Sequence, residues 1–484
     1  MGEQPDLKLK TARTLKWNTI DKFASQLLYA VTGVVLANVL SKEDFGLVGA
    51  MLVFQAFASL FVDSGFSSAL IQKKDPNDSD YCTIFYFNLA MSIGIYIILW
   101  FCAPLIADAF GDERLIDLSR VMFLSFIISA TAIVQTNRLM KQMTVAKIAI
   151  SNTIGLVISG GAGIWLALAG YGAWAIVWQT LILGTVKSAI LWATSGWLPR
   201  KPFSVASFRS VVGVGTGVMA SSFLNTLSLN IYSYVIGVYY NLTQLGCYTQ
   251  ADKWSKMGVM SISQILTSSF LPVLSGCQNE PERHLKMMRK MNRFTSYVSL
   301  PAMLFLMVSA TSIFHILFGT KWDEAIILFQ ILALRGVFVI FAILYSNFIL
   351  SLGKAKAVFN LEIAKDVLMI AAIFITIPFG VEAIVWGQLA SAVLFYVYAI
   401  FKTRKDVDYP VRQIVGDVIP YFVESIVIVA ILWLVGSIIE NAWLCLFAQL
   451  IVGAVAYFGV NKLMRSNIQK EVMTYAFGRF LHRK

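Results

Sequence analysis

The 484 residues are 58% hydrophobic and 14% charged, whereas soluble chains average about 45–50% apolar and about 25% charged residues. A mean hydropathy of +0.71, spread along the whole length, excludes a string of water-soluble domains and points to one membrane-embedded body. The net charge of +12 is explained by membrane topology, as the distribution of basic residues shows below, so nucleic acid is not an expected partner.

The first sixteen residues are polar and basic, and the apolar stretch behind them lacks a small-residue cleavage site, so it reads as a retained anchor. From there the chain offers fourteen stretches near the roughly 20 apolar residues that cross hydrocarbon. The first seven run over 15–40, 45–71, 81–106, 116–139, 145–169, 171–194 and 211–238. The second seven run over 244–273, 294–318, 325–352, 357–379, 381–401, 414–438 and 441–464. Asp252, Lys253 and Lys256 interrupt the eighth. The expected fold class is therefore all-α and polytopic, with about 14 transmembrane helices.

With the N-terminus placed in the cytoplasm, 30 of the 39 Lys and Arg residues fall in inner segments, four in outer ones (Lys42, Arg114, Arg120, Lys321) and five within spans. That asymmetry puts both termini inside. Outer turns are short, which disfavours a membrane polymerase or ligase with a large external loop. Cys82, Cys102, Cys247, Cys277 and Cys445 lack metal or redox spacing and read as packing residues. With no phosphate-binding glycine loop and only His284, His315 and His482 as histidines, no cofactor, metal or catalytic residue is expected.

A shift of about 200 residues brings several punctuation points into register. Phe45-Gly46 matches Leu245-Gly246, Phe110-Gly111 matches Phe318-Gly319, and Asn137 matches Asn347. Gly170-Tyr171-Gly172-Ala173-Trp174 matches Gly380-Val381-Glu382-Ala383-Ile384. An even number of spans per repeat makes the copies parallel, related by an axis along the membrane normal. The expected lobes are 1–205 and 206–405, with 406–484 adding two helices and a cytoplasmic tail.

Leu40-Ser41-Lys42-Glu43-Asp44-Phe45-Gly46, Phe61-Val62-Asp63-Ser64-Gly65-Phe66-Ser67-Ser68-Ala69-Leu70-Ile71-Gln72 and the Gly170 to Trp174 turn resemble the signature of bacterial polysaccharide transporters. These are the Wzx-type oligosaccharide flippases of the multidrug/oligosaccharidyl-lipid/polysaccharide superfamily. The resemblance implies a MATE-like fold of two six-helix lobes, alternating access, and residence in the bacterial inner membrane. It implies as cargo an undecaprenyl-pyrophosphate-linked repeat unit of O-antigen, capsule or exopolysaccharide, with membrane lipids and other polysaccharide assembly proteins as partners. Multidrug export within the superfamily is the competing transport function, and a scaffold for the assembly proteins is a further alternative.

Ionisable groups in spans cost roughly 2.5–3.5 kcal/mol each on insertion scales and tend to face a cavity or a partner. The first span carries Asn18, Asp21, Lys22, Ser25, Tyr29 and Thr32 at helical spacing, and the eighth carries Thr249, Asp252, Lys256, Ser263 and Thr267. Lys22, Lys253, Lys256 and Arg335, with Asn18 and Asp252, are the expected substrate-binding residues, because a pyrophosphate leaving water needs cations. Snorkelling of Lys22 and a wet bend at 252–256 are the structural alternatives. Lys365 is placed to neutralise Glu362. Asp63 and Glu424, with no basic residue three or four positions away, are candidate ion-coupling sites.

Overall fold

A computed structural model describes the backbone of residues 4–63, 70, 73, 75–463, 466, 468–471 and 474. The side chains of 4–16, 18, 19, 61–63, 211, 213–221, 224, 265 and 268 lie outside that description. Helices account for every regular element among the described residues. The first half holds α1 (Gln4–Val39), α2 (Lys42–Asp63), α3 (Asp78–Phe110), α4 (Arg114–Met122), α5 (Leu124–Lys141), α6 (Val145–Leu168), α7 (Trp174–Ser195) and α8 (Val205–Tyr239). The second holds α9 (Leu242–Ser275), α10 (Pro281–Val308), α11 (Ala310–Phe318), α12 (Asp323–Ser351), α13 (Ala355–Thr376), α14 (Val381–Val407), α15 (Val411–Ile438) and α16 (Ala442–Leu463).

Among the described residues, eleven segments are long and apolar enough to cross a membrane, with α4 and α5 forming one of them. The pair α10 and α11, bent by 62° at Ser309, makes up to twelve. Of the two helices left from the expected fourteen, α13 carries Glu362, Lys365 and Asp366 in its middle, and part of α8 lies outside the side-chain description. The all-helical polytopic class therefore holds, with a count close to the expected one.

Packing divides the chain into two compact units, Met1–Gly246 and Cys247–Lys484. In the first, α6 packs along α7 and α1, α5 along α7, and α2 along α8. In the second, α12 packs on α14 and α10, and α10 on α15. Its core gathers Met303, Phe341, Tyr345, Phe348, Tyr409 and Leu432.

Local chemistry accounts for the helix ends. Asn77 and Asp80 make a reciprocal capping box at the start of α3, each side chain accepting the other's backbone N–H at 2.9 Å. Gly111 ends that helix at φ +70, and its repeat mate Gly319 follows α11 at φ +69, the left-handed region that glycine reaches at least cost. Gly170 and Gly380 share positive φ, at +86 and +103. Asn137 and Asn347 are both buried, at 6% and 7% exposure. Repeat positions matched by sequence thus also match in conformation or burial.

Candidate functional site

In the first unit two of the signature stretches, 40–46 and 170–174, meet, whereas 64–69, 71 and 72 of the third lie outside the described residues. Ser41 caps α2: its hydroxyl accepts from the Asp44 backbone N–H at 3.0 Å, and the Asp44 carboxylate takes the Ser41 N–H at 2.9 Å. The second carboxylate oxygen accepts the backbone N–H of Ala173 at 2.9 Å, which ties the start of α2 to the turn that opens α7. Gly172, at φ +54, leaves room for this oxygen: a Cβ there would sit 2.8 Å from it. Beside it Arg114 bridges Glu43 and Asp112, and the hydrogen bond from Arg114 holds the Asp112 carboxyl below the usual carboxylate range. The motif is therefore a structural clamp.

The polar stripe of α1 divides in two. Asp21 and Ser25 turn to α6, where Asn152 donates to them at 3.1 and 2.8 Å. Lys22 is exposed and makes no ion pair among the described residues. The side chains of Asn18 and Asp63 lie outside the described residues.

In the second unit Asp252 is buried and holds Lys256 at 2.5 Å, so Lys256 brings little net charge. Lys253 points elsewhere, exposed, with its ammonium 5.6 Å from the centre of the Trp254 ring. Arg335, midway along α12, is half-buried and has no acidic partner among the described residues. Its neighbour Leu334 lines an apolar groove of about 520 Å³ bounded by Trp386 and Trp433. Lys365 pairs with Glu362, as its spacing predicts. Glu424 is 4% exposed, takes a hydrogen bond from Asn461, and has no ion pair among the described residues.

One cluster lies outside the sequence reading. Asp417 of α15, 1% exposed at its side chain, receives Arg289 in two hydrogen bonds of 2.9 and 3.1 Å and Arg293 at 2.6 Å, both from α10. Tyr409 donates to the same carboxylate at 2.7 Å and accepts from Asn292 at 3.2 Å. Asn292 in turn accepts from Tyr345 at 3.4 Å. In the sequence Arg289 and Arg293 count as ordinary inner-loop cations. The signal that marks them is an acid six residues into a span, facing two arginines four residues apart.

The profile of the polysaccharide biosynthesis protein family matches residues 35–327. The succinoglycan biosynthesis transport protein ExoT of Rhizobium meliloti (strain 1021) is 23% identical, over 98% of this chain and 97% of that protein. The lipopolysaccharide biosynthesis protein WzxC of Escherichia coli (strain K12) is 24% identical, over 86% of this chain and 81% of that protein. Among solved structures, the lipid II flippase MurJ in an inward closed conformation superposes with a TM-score of 0.77 at 14% identity, covering 93% of this chain and 99% of that one. An inward-facing multidrug resistance MATE transporter of the MOP superfamily gives 0.63 at 16% identity, over 78% and 95%. With its fold shared by those transporters and its profile match spanning more than half its length, the chain belongs to the polysaccharide biosynthesis protein family.

Proposed function

We propose that this chain is a flippase that carries polyprenyl-diphosphate-linked oligosaccharides, of the undecaprenyl kind, across the bacterial inner membrane, with both termini in the cytoplasm. The observation that carries the reading is the set of cations inside spans, Lys22, Lys253 and Arg335, that have no acidic partner among the described residues. An unpaired cation within a span is costly unless water or an anion meets it. A diphosphate moving through the protein supplies such an anion, whereas a cationic drug does not. ExoT and WzxC are named for transport and for lipopolysaccharide biosynthesis respectively, and a lipid II flippase shares the fold, which supports a lipid-linked sugar as cargo.

On this reading the protein moves its cargo without making or breaking a covalent bond. Lys22, Lys253 and Arg335 hold the diphosphate, with Asn18 and the Asp252 and Lys256 pair as accessory polar groups. Glu424 and Asp63 are the groups assigned to ion coupling. In proteoliposomes holding only this chain, a lipid-linked oligosaccharide should become accessible to an external glycosidase at a protein-dependent rate. Deletion in cells should trap the same lipid-linked glycan on the cytoplasmic face. New glycosidic bonds made by the purified protein, or no trapped intermediate, would overturn the reading.

A further inference from the structure

The cluster at Asp417 holds more positive charge than its carboxylate consumes. One buried acid faces two guanidiniums, so the trio carries one more positive than negative group. The carboxylate is also fully occupied. One oxygen accepts from Arg289 Nη2 and Arg293 Nε, and the other from Arg289 Nε and Tyr409 Oη. Arg289 thereby spends its Nε and Nη2 edge, and its Nη1 donors are left to find other acceptors. The two side chains remain 36% and 39% exposed.

Position decides which acceptor suits them. The flanking residues of α15, Val415 and Ile419, are exposed apolar side chains, and from Phe294 to its end at Val308 α10 carries no charged residue. The guanidiniums therefore stand at the level where lipid-facing surface starts. Lys290, one residue on from Arg289, is already paired with Glu471 at 2.5 Å. The Nη donors that two guanidiniums held in place by Asp417 still present at that depth match the several oxygens of a phosphate better than they match loose water, and basic recesses between spans at the inner side of a membrane are where headgroups bind.

We propose that Arg289 and Arg293, braced by Asp417 and Tyr409, form a binding site for the phosphate or diphosphate headgroup of a membrane lipid. The site goes beyond the transport reading and shares no residue with the cations assigned to cargo. Bracing matters because a preorganised fork loses little freedom on binding.

The test uses the full chain in a neutral detergent, in a Lys22→Ala, Lys253→Ala and Arg335→Ala background that removes the three cations assigned to transport. Calorimetric titration with short-chain phosphatidylglycerol and with a short prenyl diphosphate reads the two sources separately. Saturable binding of either supports the site: stronger diphosphate binding identifies lipid-linked cargo as the source, and equal or stronger phosphatidylglycerol binding identifies bilayer lipid. The Arg289→Lys and Arg293→Lys double variant keeps both charges for Asp417 but removes the forks. It loses hydrogen bonds to Asp417 and should melt somewhat lower, yet stay folded at the titration temperature and bind about tenfold more weakly. Unchanged affinity in a double variant that stays folded, or no saturable binding of either probe to the parent, overturns the proposal. Because transport is measured on the wild-type background, failure here leaves the flippase reading standing, and the reverse holds too.

Discussion

Single substitutions separate the roles of the charged residues. Lys22→Ala and Arg335→Ala should each lower flipping in proteoliposomes by about tenfold or more, since a charge-assisted contact is worth roughly 1.5–3 kcal/mol, while the protein stays in the membrane. Lys22→Arg should restore much of the rate and Lys22→Glu none. Normal transport by both alanine variants at wild-type expression would make these residues structural. Asp417→Asn is expected to act on stability instead: it leaves Arg289, Arg293 and Tyr409 facing a neutral amide with too few acceptors, at a cost of about 1–3 kcal/mol. A lowered melting temperature in detergent checks it. Glu424 belongs to a third kind. It is buried and meets Asn461, with no ion pair among the described residues, so Glu424→Gln removes a proton-binding group while keeping the shape and an acceptor for Asn461. Ion dependence of transport should be lost or shifted. An unchanged dependence rules out Glu424 as the coupling group.

Helices meet closely at positions where a glycine permits it. A Cβ on Gly46 would lie 1.8 Å from the Leu242 carbonyl oxygen, and one on Gly246 1.9 Å from the Lys42 carbonyl oxygen. The matched glycines of the repeat thus let the first turns of α2 and α9 touch through backbone. Gly46→Ala and Gly246→Ala should each force those turns apart and destabilise the protein by about 1–3 kcal/mol, as overpacking does, and an unshifted melting temperature would refute the contact. Sequence periodicity found these glycines as a matched pair because helix ends need them, yet the reason for the match is a tertiary contact that no window of sequence contains. The same limit explains the other differences. The stripe of α1 is legible as polar, but its division between Asn152 and solvent depends on where α6 lies. Lys365 with Glu362, and Lys256 with Asp252, are legible because a helix fixes both partners within one turn. Arg289, Arg293 and Asp417 are separated by more than 120 residues, so only packing of α10 on α15 reveals them.

At the scale of the whole molecule, the basic residues test orientation independently of any site. Thirty of 39 sit in segments assigned to one side and four to the other, and insertion places Lys- and Arg-rich loops in the cytoplasm. The helix order turns this into definite positions. The segment between α7 and α8 holds Arg200 and Lys201, the one before α10 leads into Arg283 and Lys286, and the end of α14 holds Arg404 and Lys405. The short turn between α11 and α12 carries Lys321 as its one basic residue. Reporter fusions after residues 205, 285 and 407 should therefore report the cytoplasm, and a fusion after 320 the opposite side. The bend at Ser309 makes the fusion after 320 the most demanding of the four. If α10 and α11 span the bilayer together, it reads outside. If the bent pair re-enters instead, it reads cytoplasmic, and every later span in the second unit inverts with it, which the fusion after 407 would also detect. Agreement of all four fixes the orientation, and with it the face on which Arg289 and Arg293 meet lipid.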